Sequence, residues 1–330
     1  MFYAIISEHY IKIMIYDTTI IGGGPAGVAA GVYSSRKRLK TLFLTESFNG
    51  QSVVSEGIEN WIGTVKISGA DLAKNLEAHL RAYAADVVDI KTGVWVKMIT
   101  KITDEDTKAE AWKIVVLDGD KEETFFSKTV IVTTGSKRRK LIAKGAEEFD
   151  NKGLTYCATC DGPLFDGKDV VVIGGGNAAF ETAAQLSAYC TSVTMLNRSD
   201  VFRADPVTTE KVLSKPNVKA ITGVETVEVK GAQFVNGIVY KNVTTGETTE
   251  LPVSGIFVEI GLIPNTDFIK DIVEIDSFGR VVVDPRTQMT KTEGIWAAGD
   301  CTDGIYHQNN IAAGDAVKAL EDVYAALHVR

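Results

Sequence analysis

Two glycine fingerprints, each following an apolar strand-like run, restrict the fold of this chain more than any other feature. Near the start, Thr18-Thr19-Ile20-Ile21 leads into Gly22-Gly23-Gly24-Pro25-Ala26-Gly27; later, Asp169-Val170-Val171-Val172-Ile173 leads into Gly174-Gly175-Gly176-Asn177, with Ala179 completing a GxGxxA spacing. A strand that turns on glycines into a helix lets the backbone approach a pyrophosphate closely and aims free N–H groups at it. The first copy continues through Ala26-Gly27-Val28-Ala29-Ala30 as a helix and Leu42-Phe43-Leu44 as a second parallel strand. That strand ends at Glu46, nineteen residues past Gly27, where a carboxylate can accept both ribose hydroxyls of an adenosine. The second copy predicts a helix to about Ala188 and a strand at Val193-Thr194-Met195-Leu196, which ends in Asn197-Arg198-Ser199 without an acid. Arg198 and Arg203 could pair with a 2′-phosphate, so NADPH is chemically allowed; both also suit ordinary surface positions.

The 330 residues fit two domains, each able to bury a core. The fold class expected is α/β, with two Rossmann-like dinucleotide-binding domains, the second inserted into the first. Residues 91–126 alternate as short strands with charged turns, including Trp112-Lys113-Ile114-Val115-Val116 and Thr124-Phe125-Phe126, which predicts an antiparallel insertion. Thr129-Val130-Ile131-Val132-Thr133-Thr134-Gly135 reads as a buried strand after which the chain crosses to the second domain. The boundaries expected are 1–135 with 256–330 for the first domain and 136–255 for the second. Gly294-Ile295-Trp296-Ala297-Ala298-Gly299-Asp300 predicts a strand ending in an aspartate that either meets a ligand of the first domain or makes a turn or cap. A helix from about Asn309 to Leu327 follows.

Cys157-Ala158-Thr159-Cys160 lies fourteen positions before Gly174, so a candidate redox dithiol opens the second dinucleotide domain. Cys190 and Cys301 stand alone, and four cysteines in a reducing compartment argue for chemistry at the close pair. Zinc would need two further ligands, whereas His9, His79, His307 and His328 are scattered and there is no second CxxC. A thiolate is the attacking species, so one cysteine must be partly ionised and reachable and its mate placed to resolve the mixed disulfide. Asp161, next to Cys160, would carry the proton if burial raised its pKa; otherwise it caps a helix or turn.

The net charge of −8 speaks against unaided binding to nucleic acid or an anionic membrane. Lys137-Arg138-Arg139-Lys140, the compact basic run, reads as a solvated loop, with a phosphate or partner contact as the other reading. No apolar stretch approaches the roughly 20 residues that span a bilayer, and the start lacks a basic segment followed by an apolar core, so a cytoplasmic location is expected. Residues 1–13 precede Met14 and the first strand, which suggests a mis-assigned start.

With these residues collected, the chain resembles the low-molecular-weight thioredoxin reductases over nearly its whole length. The motifs are Gly22 to Gly27, Gly50-Gln51, Ile58-Glu59-Asn60-Trp61, Thr134-Gly135-Ser136, Cys157 to Gly162, Gly174 to Ala179 and Ala298-Gly299-Asp300. Asp161-Gly162-Pro163-Leu164-Phe165, Gly261-Leu262-Ile263-Pro264-Asn265-Thr266 and Gly299-Asp300-Cys301-Thr302 look closer still to the reductase core of the alkyl hydroperoxide reductase flavoprotein. That protein's extra N-terminal thioredoxin-like domain is expected to be absent here.

The resemblance implies FAD in the first domain, held by Gly22, Gly24, Pro25, Ala26, Gly27, Glu46, Thr134, Gly135 and Asp300. Gln51 and Asn60 would lie near the isoalloxazine, with His307 and Gln308 near its pyrimidine edge. NADPH, or NADH, would bind at Gly174, Gly176, Asn177, Ala179, Asn197, Arg198 and Arg203. It also implies a homodimer, a thioredoxin or glutaredoxin-like protein as partner, Cys160 as the sulfur nearest the flavin, Cys157 as the attacking one and Asp161 as the acid. Dithiol and nicotinamide site share one domain, so both cannot face the flavin at once, and a rotation hinged near Gly135 and Gly255 would alternate them.

The chain departs from the family pattern at two places. Asn197-Arg198-Ser199 replaces a His-Arg-Arg run, and His307 stands where an arginine or lysine is general. Competing readings are a flavoprotein of the same fold with ferredoxin input or another acceptor, and a flavin-binding redox sensor.

Overall fold

A computed structural model describes residues 14–55, 57–103 and 110–329, with backbone alone at 3–6, 9–12 and Val54. The expectation of a mis-assigned start concerns residues 1–13, of which Tyr3–Ile6 and His9–Lys12 pair antiparallel as a two-stranded ribbon. Residues 1–137 and 263–330 form one compact unit and residues 138–262 a second.

In the first unit β1 (Ile15–Ile21) turns through the glycines into α1 (Pro25–Arg36). There follow β2 (Thr41–Thr45), α2 (Gly69–Ala84) and β3 (Val88–Thr92), then β4 (Val94–Thr103), β5 (Glu110–Asp118) and β6 (Lys121–Val132). Their order in the sheet is β3-β2-β1-β6-β5-β4. The expected antiparallel insertion exists, but it does not stop before the buried strand. β6 is one twelve-residue strand whose first half pairs antiparallel with β5 and whose second half pairs parallel with β1. Neither Gly nor Pro interrupts it, so nothing in the backbone forces a break.

Neighbouring residues of β1 serve opposite faces, as strand geometry requires. Ile20 packs with Phe43, Leu80 and Leu320 on the helical face, while Ile21 packs with Leu44, Trp112 and Val130 on the face covered by antiparallel strands. Burial on both faces explains why β1 and β2 read as unbroken apolar runs.

In the second unit β7 (Leu154–Thr155) is followed by the short α3 (Ala158–Asp161), then β8 (Asp169–Ile173), α4 (Asn177–Leu186), β9 (Ser192–Leu196), α5 (Pro206–Leu213) and β10 (Val218–Ile221). Three antiparallel strands, β11 (Val224–Gly231), β12 (Val235–Asn242) and β13 (Thr248–Pro252), precede β14 (Gly255–Val258). The parallel sheet runs β7-β14-β8-β9-β10, and β14 lies in register beside β8 with Val170 opposite Gly255 and Ile173 opposite Val258. Phe180, Leu186 and Phe257 fill the helical face, and Val171, Val229 and Ile238 fill the other. Each unit is thus a three-layer ββα Rossmann-like domain, the second inserted into the first.

Because β14 belongs to this second sheet, the return to the first unit falls at 262/263 and not at 255/256. Gly255 is correspondingly no hinge. It lies inside β14 with the Phe165 ring 2.4 Å from where a Cβ would stand. The crossing segments are Ser136–Arg138 and Leu262–Pro264, which pair as a two-stranded ribbon.

Back in the first unit, β15 (Ile295–Ala297) pairs parallel with β6, shorter than the seven residues expected. The chain turns after it, bringing Asp300 to the strand's C-terminal edge. The last helix, α6 (Asn309–His328), packs Ala312, Ala316, Ala319 and Val323 into the core beside α1. No helix among the described residues is long and apolar enough to cross a membrane.

Candidate functional site

Cys157 and Cys160 are joined in a disulfide. Cys157 caps α3, its Sγ accepting the Cys160 N–H at 3.2 Å, so the bridge sits on the first turn of a helix and not on a free loop. α4 holds that turn from below: Gln185 Nε2 donates to the Ala158 carbonyl at 3.0 Å and reaches the Tyr189 hydroxyl at 3.4 Å. Both sulfur-bearing residues are half-buried, while Thr159 between them is exposed.

Thr155, which the sequence did not single out, ties the acid to the dithiol. Its hydroxyl donates to Asp161 Oδ2 and accepts the Cys157 N–H at 3.3 Å. Asp161 is therefore a tethered carboxylate at the end of the disulfide's own helix turn, directly after Cys160, and its side chain caps neither helix end. The remaining cysteines are of another kind. Cys190 is buried against the Phe165 carbonyl and Cys301 is fully buried; burial pushes each thiol up to about 11, which leaves almost no thiolate at neutral pH. Among the described residues no cluster of His, Cys, Asp or Glu could hold a metal ion.

In the first unit the glycine turn is tight where the fold needs it and open where a ligand would come. A Cβ on Gly27 would stand 1.8 Å from the Gly22 carbonyl oxygen, whereas one on Gly24 would meet nothing within 4 Å. Gly24 is the N-cap of α1 and offers no side-chain cap, Pro25 takes the first turn, and Ala26 is buried behind it. The end of α1 therefore presents uncapped backbone donors to open space, as a pyrophosphate requires. Glu46 is the first residue after β2 and is exposed.

Asp300 gathers a small polar group: Gln51 Nε2 lies 3.5 Å from its Oδ2 and His307 Nδ1 3.5 Å from its Oδ1. Asn60 Nδ2 donates to Gln308 Oε1 at 3.0 Å, so one of the amides expected near an isoalloxazine touches the one expected at its pyrimidine edge. Two further bonds brace them, Asn310 Nδ2 to the Asn60 carbonyl at 2.6 Å and Ser52 Oγ to Asn309 Oδ1 at 3.0 Å. The amide run Gln308-Asn309-Asn310 opening a helix was the signal that could have found this brace. Thr134 is committed elsewhere: its hydroxyl donates to the Asn265 carbonyl at 2.7 Å while Asn265 binds back to the Thr134 and Gly135 carbonyls.

The second unit repeats the open turn. A Cβ on Gly176, the uncapped N-cap of α4, would meet nothing, while one on Gly174 would lie 2.3 Å from the Glu259 carbonyl oxygen. Ala179 is buried under the turn. Asn177 Oδ1 accepts the Asp205 N–H at 2.8 Å, and the Arg203 N–H donates to the Gly175 carbonyl at 2.8 Å, which holds the 203–205 loop beside the glycines. Arg198 is 82% exposed, with Glu225 3.8 Å away, and Arg203 is exposed. Asn197 differs from expectation. It is 8% exposed and its amide donates to the Ser199 and Val201 carbonyls, so it shapes the arginine-bearing loop from within. Of Lys137-Arg138-Arg139-Lys140, the first two lie in a crossing strand and Lys140 pairs with Asp150.

A model of the pyridine nucleotide-disulphide oxidoreductases matches residues 16–317. The chain is 38% identical over 304 residues to a Bacillus subtilis protein named NADH dehydrogenase, covering 92% of this chain and 57% of that one. It is 39% identical over 305 residues to an alkyl hydroperoxide reductase component of Xanthomonas campestris pv. phaseoli, covering 92% and 56%. This chain thus spans a little over half the length of those curated relatives. Among solved structures, thioredoxin reductase from Giardia duodenalis superposes with a TM-score of 0.86 at 33% identity, over 94% of this chain and 98% of that one. The Streptococcus pyogenes thioredoxin reductase gives 0.83 at 32%, over 96% and 99%.

Proposed function

Since the chain belongs to the pyridine nucleotide-disulphide oxidoreductase family, we propose that it passes electrons from NAD(P)H through FAD and the Cys157–Cys160 disulfide to a small protein disulfide such as thioredoxin. The observation that carries this reading is a disulfide on the first turn of a helix, partly exposed and tethered to a carboxylate, in the same unit as an open glycine turn.

FAD belongs to the first unit. The open ground over Gly24 and the uncapped end of α1 fit its pyrophosphate, with Gly22, Pro25, Ala26 and Gly27 forming the turn and Glu46 the ribose contact. Gln51, Asn60, Asp300, His307 and Gln308 would surround the ring and its polyol chain, while Thr134 and Gly135 brace the wall behind. When bound, the flavin supplies two-electron chemistry between a nicotinamide and a disulfide.

In the second unit Gly174, Gly176, Asn177 and Ala179 form the nicotinamide nucleotide's turn, Arg198 and Arg203 reach a 2′-phosphate, and Asn197 supports them. Reduction of the disulfide takes two electrons and two protons and leaves two thiols. Cys157, once ionised, attacks the partner's disulfide, and Cys160 then closes on Cys157 to release the partner as a dithiol. Asp161, held by Thr155, carries the proton exchanged with the departing sulfur. The reading includes a homodimer, a cytoplasmic setting and NADPH as donor, with NADH as the other candidate.

A peroxidase-system reductase is the second reading, favoured by the likeness to the Xanthomonas alkyl hydroperoxide reductase component. Anaerobic titration of the flavin absorbance with NADPH, NADH and reduced ferredoxin, then addition of oxidised thioredoxin, separates these. Bleaching by a nicotinamide nucleotide and recovery on adding thioredoxin is the expected result. Bleaching by ferredoxin alone, or no recovery with any protein disulfide, overturns the proposal.

A further inference from the structure

Glu259 is an ionisable residue, partly buried at the end of an apolar strand, that the mechanism above leaves unused. It is the first residue after β14, whose four residues are all buried. Its backbone is fixed on both sides: the Glu259 N–H donates to the Ile173 carbonyl at 2.8 Å, and its own carbonyl lies against the Gly174 turn. Its side chain reaches across to α4, where Oε1 accepts the Thr182 hydroxyl at 3.0 Å. Oε2 makes no hydrogen bond among the described residues.

The sheet order says which half of a dinucleotide would come here. β8 leads into the glycine turn, with β9 on one side and β14 on the other, so the turn sits at a switch point where ligands lie across the C-terminal strand ends. The pyrophosphate faces the N-terminus of α4, and the adenosine half goes to the end of β9, where Arg198 stands. The nicotinamide half is left with the end of β14. We propose that Glu259 is a positioning residue for the nicotinamide ring, its free oxygen meeting the carboxamide N–H and its charge favouring the cationic, oxidised ring over the neutral, reduced one.

This rests on the nucleotide assignment made above for the second unit. Burial keeps a proton on Glu259 and raises its pKa to about 7. The charged groups that act on it are Arg138 on the crossing strand, which favours the carboxylate as the Thr182 hydroxyl does, and Glu181 on α4, which opposes it. Glu259 therefore changes charge in the pH range where such an enzyme works: as an acid it holds the two forms of the ring alike, and as a carboxylate it prefers the oxidised one.

The test measures the affinity of the flavin-loaded protein for NAD⁺ and NADP⁺ by calorimetry at pH 6 and pH 8, beside ADP-ribose and its 2′-phosphate, which lack the ring. The parent should bind the better oxidised nucleotide roughly threefold to tenfold more tightly at pH 8, the span expected of a half-buried charge acting on a cation. Glu259→Gln should flatten that dependence while leaving the ADP-ribose affinity unchanged. Thr182→Val, which removes a donor to the carboxylate, should move the midpoint to higher pH. An unaltered pH dependence in Glu259→Gln, with ADP-ribose still bound, overturns the role of Glu259 alone. Failure of both ADP-ribose and the dinucleotides to bind overturns the nucleotide assignment beneath it.

Discussion

Gly27 and Gly24 stand three residues apart in one fingerprint, yet the structure gives them different duties, and alanine at each should separate folding from flavin binding. At Gly27 the added carbon would lie 1.8 Å from the Gly22 carbonyl oxygen and 2.9 Å from Thr133 Oγ1, both fixed. The Gly22 N–H donates to the Leu44 carbonyl at 2.8 Å, and Thr133 Oγ1 donates to the Ile21 and Gly22 carbonyls at 2.8 and 3.2 Å. Relief means opening the turn at the expense of one or two of these bonds, each contributing about 1 kcal/mol net, in addition to about 1–3 kcal/mol for overpacking. Against that, alanine gains about 1 kcal/mol of helix propensity, so the net loss is about 1–4 kcal/mol. For a domain of this size that lowers Tm by roughly 2–16 °C. At Gly24 the carbon meets only open space, and the N-cap preference costs about 0.5–1 kcal/mol, a Tm change of about 2 °C. Both variants should lose flavin, the first because the turn moves and the second because a methyl occupies the pyrophosphate's approach. The assays are thermal unfolding of flavin-stripped protein and flavin content by absorbance. Equal destabilisation by the two substitutions, or full flavin in Gly24→Ala, would refute the division of labour.

Three other outcomes follow from the sites. Cys157→Ser should abolish reduction of a protein disulfide while flavin bleaching by the donor continues; turnover at the parent rate in a thioredoxin-coupled assay would remove its attacking role. Arg198→Ala combined with Arg203→Ala should raise the Kd for NADPH about tenfold or more and that for NADH much less, since only one ligand carries the 2′-phosphate; equal losses by calorimetry would contradict it. Glu259 keeps its proton to about pH 7 in the native state but releases it near 4.5 when unfolded, so its stabilising contribution is complete below 4.5 and lost as pH rises through 7. Glu259→Gln should therefore be more stable than the parent at pH 8, by up to about 3 kcal/mol, with a much smaller gap at pH 5 by urea unfolding.

The parts legible in the sequence were those where the backbone admits one residue type or one pattern. Glycine turns between an apolar strand and a helix announced both dinucleotide units, and strands buried on two faces read as continuous apolar runs. The dithiol was legible because its spacing is its chemistry. What escaped was set by how the chain folds and not by residue type. Nothing in the residue types marks Thr155 as the group that holds Asp161, or Asn197 as the interior brace of its loop: the partners are only two to six residues away, but the roles depend on how each short segment folds back on itself. The boundary at 262/263 was missed for the same reason: Gly255-Ile256-Phe257-Val258 is an apolar strand that either sheet could have taken, and only its register beside β8 assigns it. Glu259 was within reach of sequence reasoning. An acid directly after a buried strand drew attention at Glu46 and near Asp300, and the same pattern recurs there.

The two sites also differ in how the chain assembles them. Every group placed around the second unit's glycine turn and dithiol lies between residues 138 and 262. The first unit's polar cluster instead joins Gln51 to Asp300 and Asn60 to Gln308, partners 249 and 248 residues apart. Such a separation adds little to the equilibrium cost, since loop closure grows only with the logarithm of length, about 0.6 kcal/mol per doubling. Its effect falls on rate, because non-local contacts form only after that closure has been made. α6 supplies Asn309 and Asn310 to the brace and Ala312, Ala316 and Leu320 to the core against α1, so the polar cluster is complete only when the C-terminal helix docks. The second unit meets no such condition, since its strands and glycine turn are all within one continuous segment. On the proposed reading, flavin binding would depend on both segments of the first unit, whereas the disulfide and the second glycine turn depend on residues 138–262 alone.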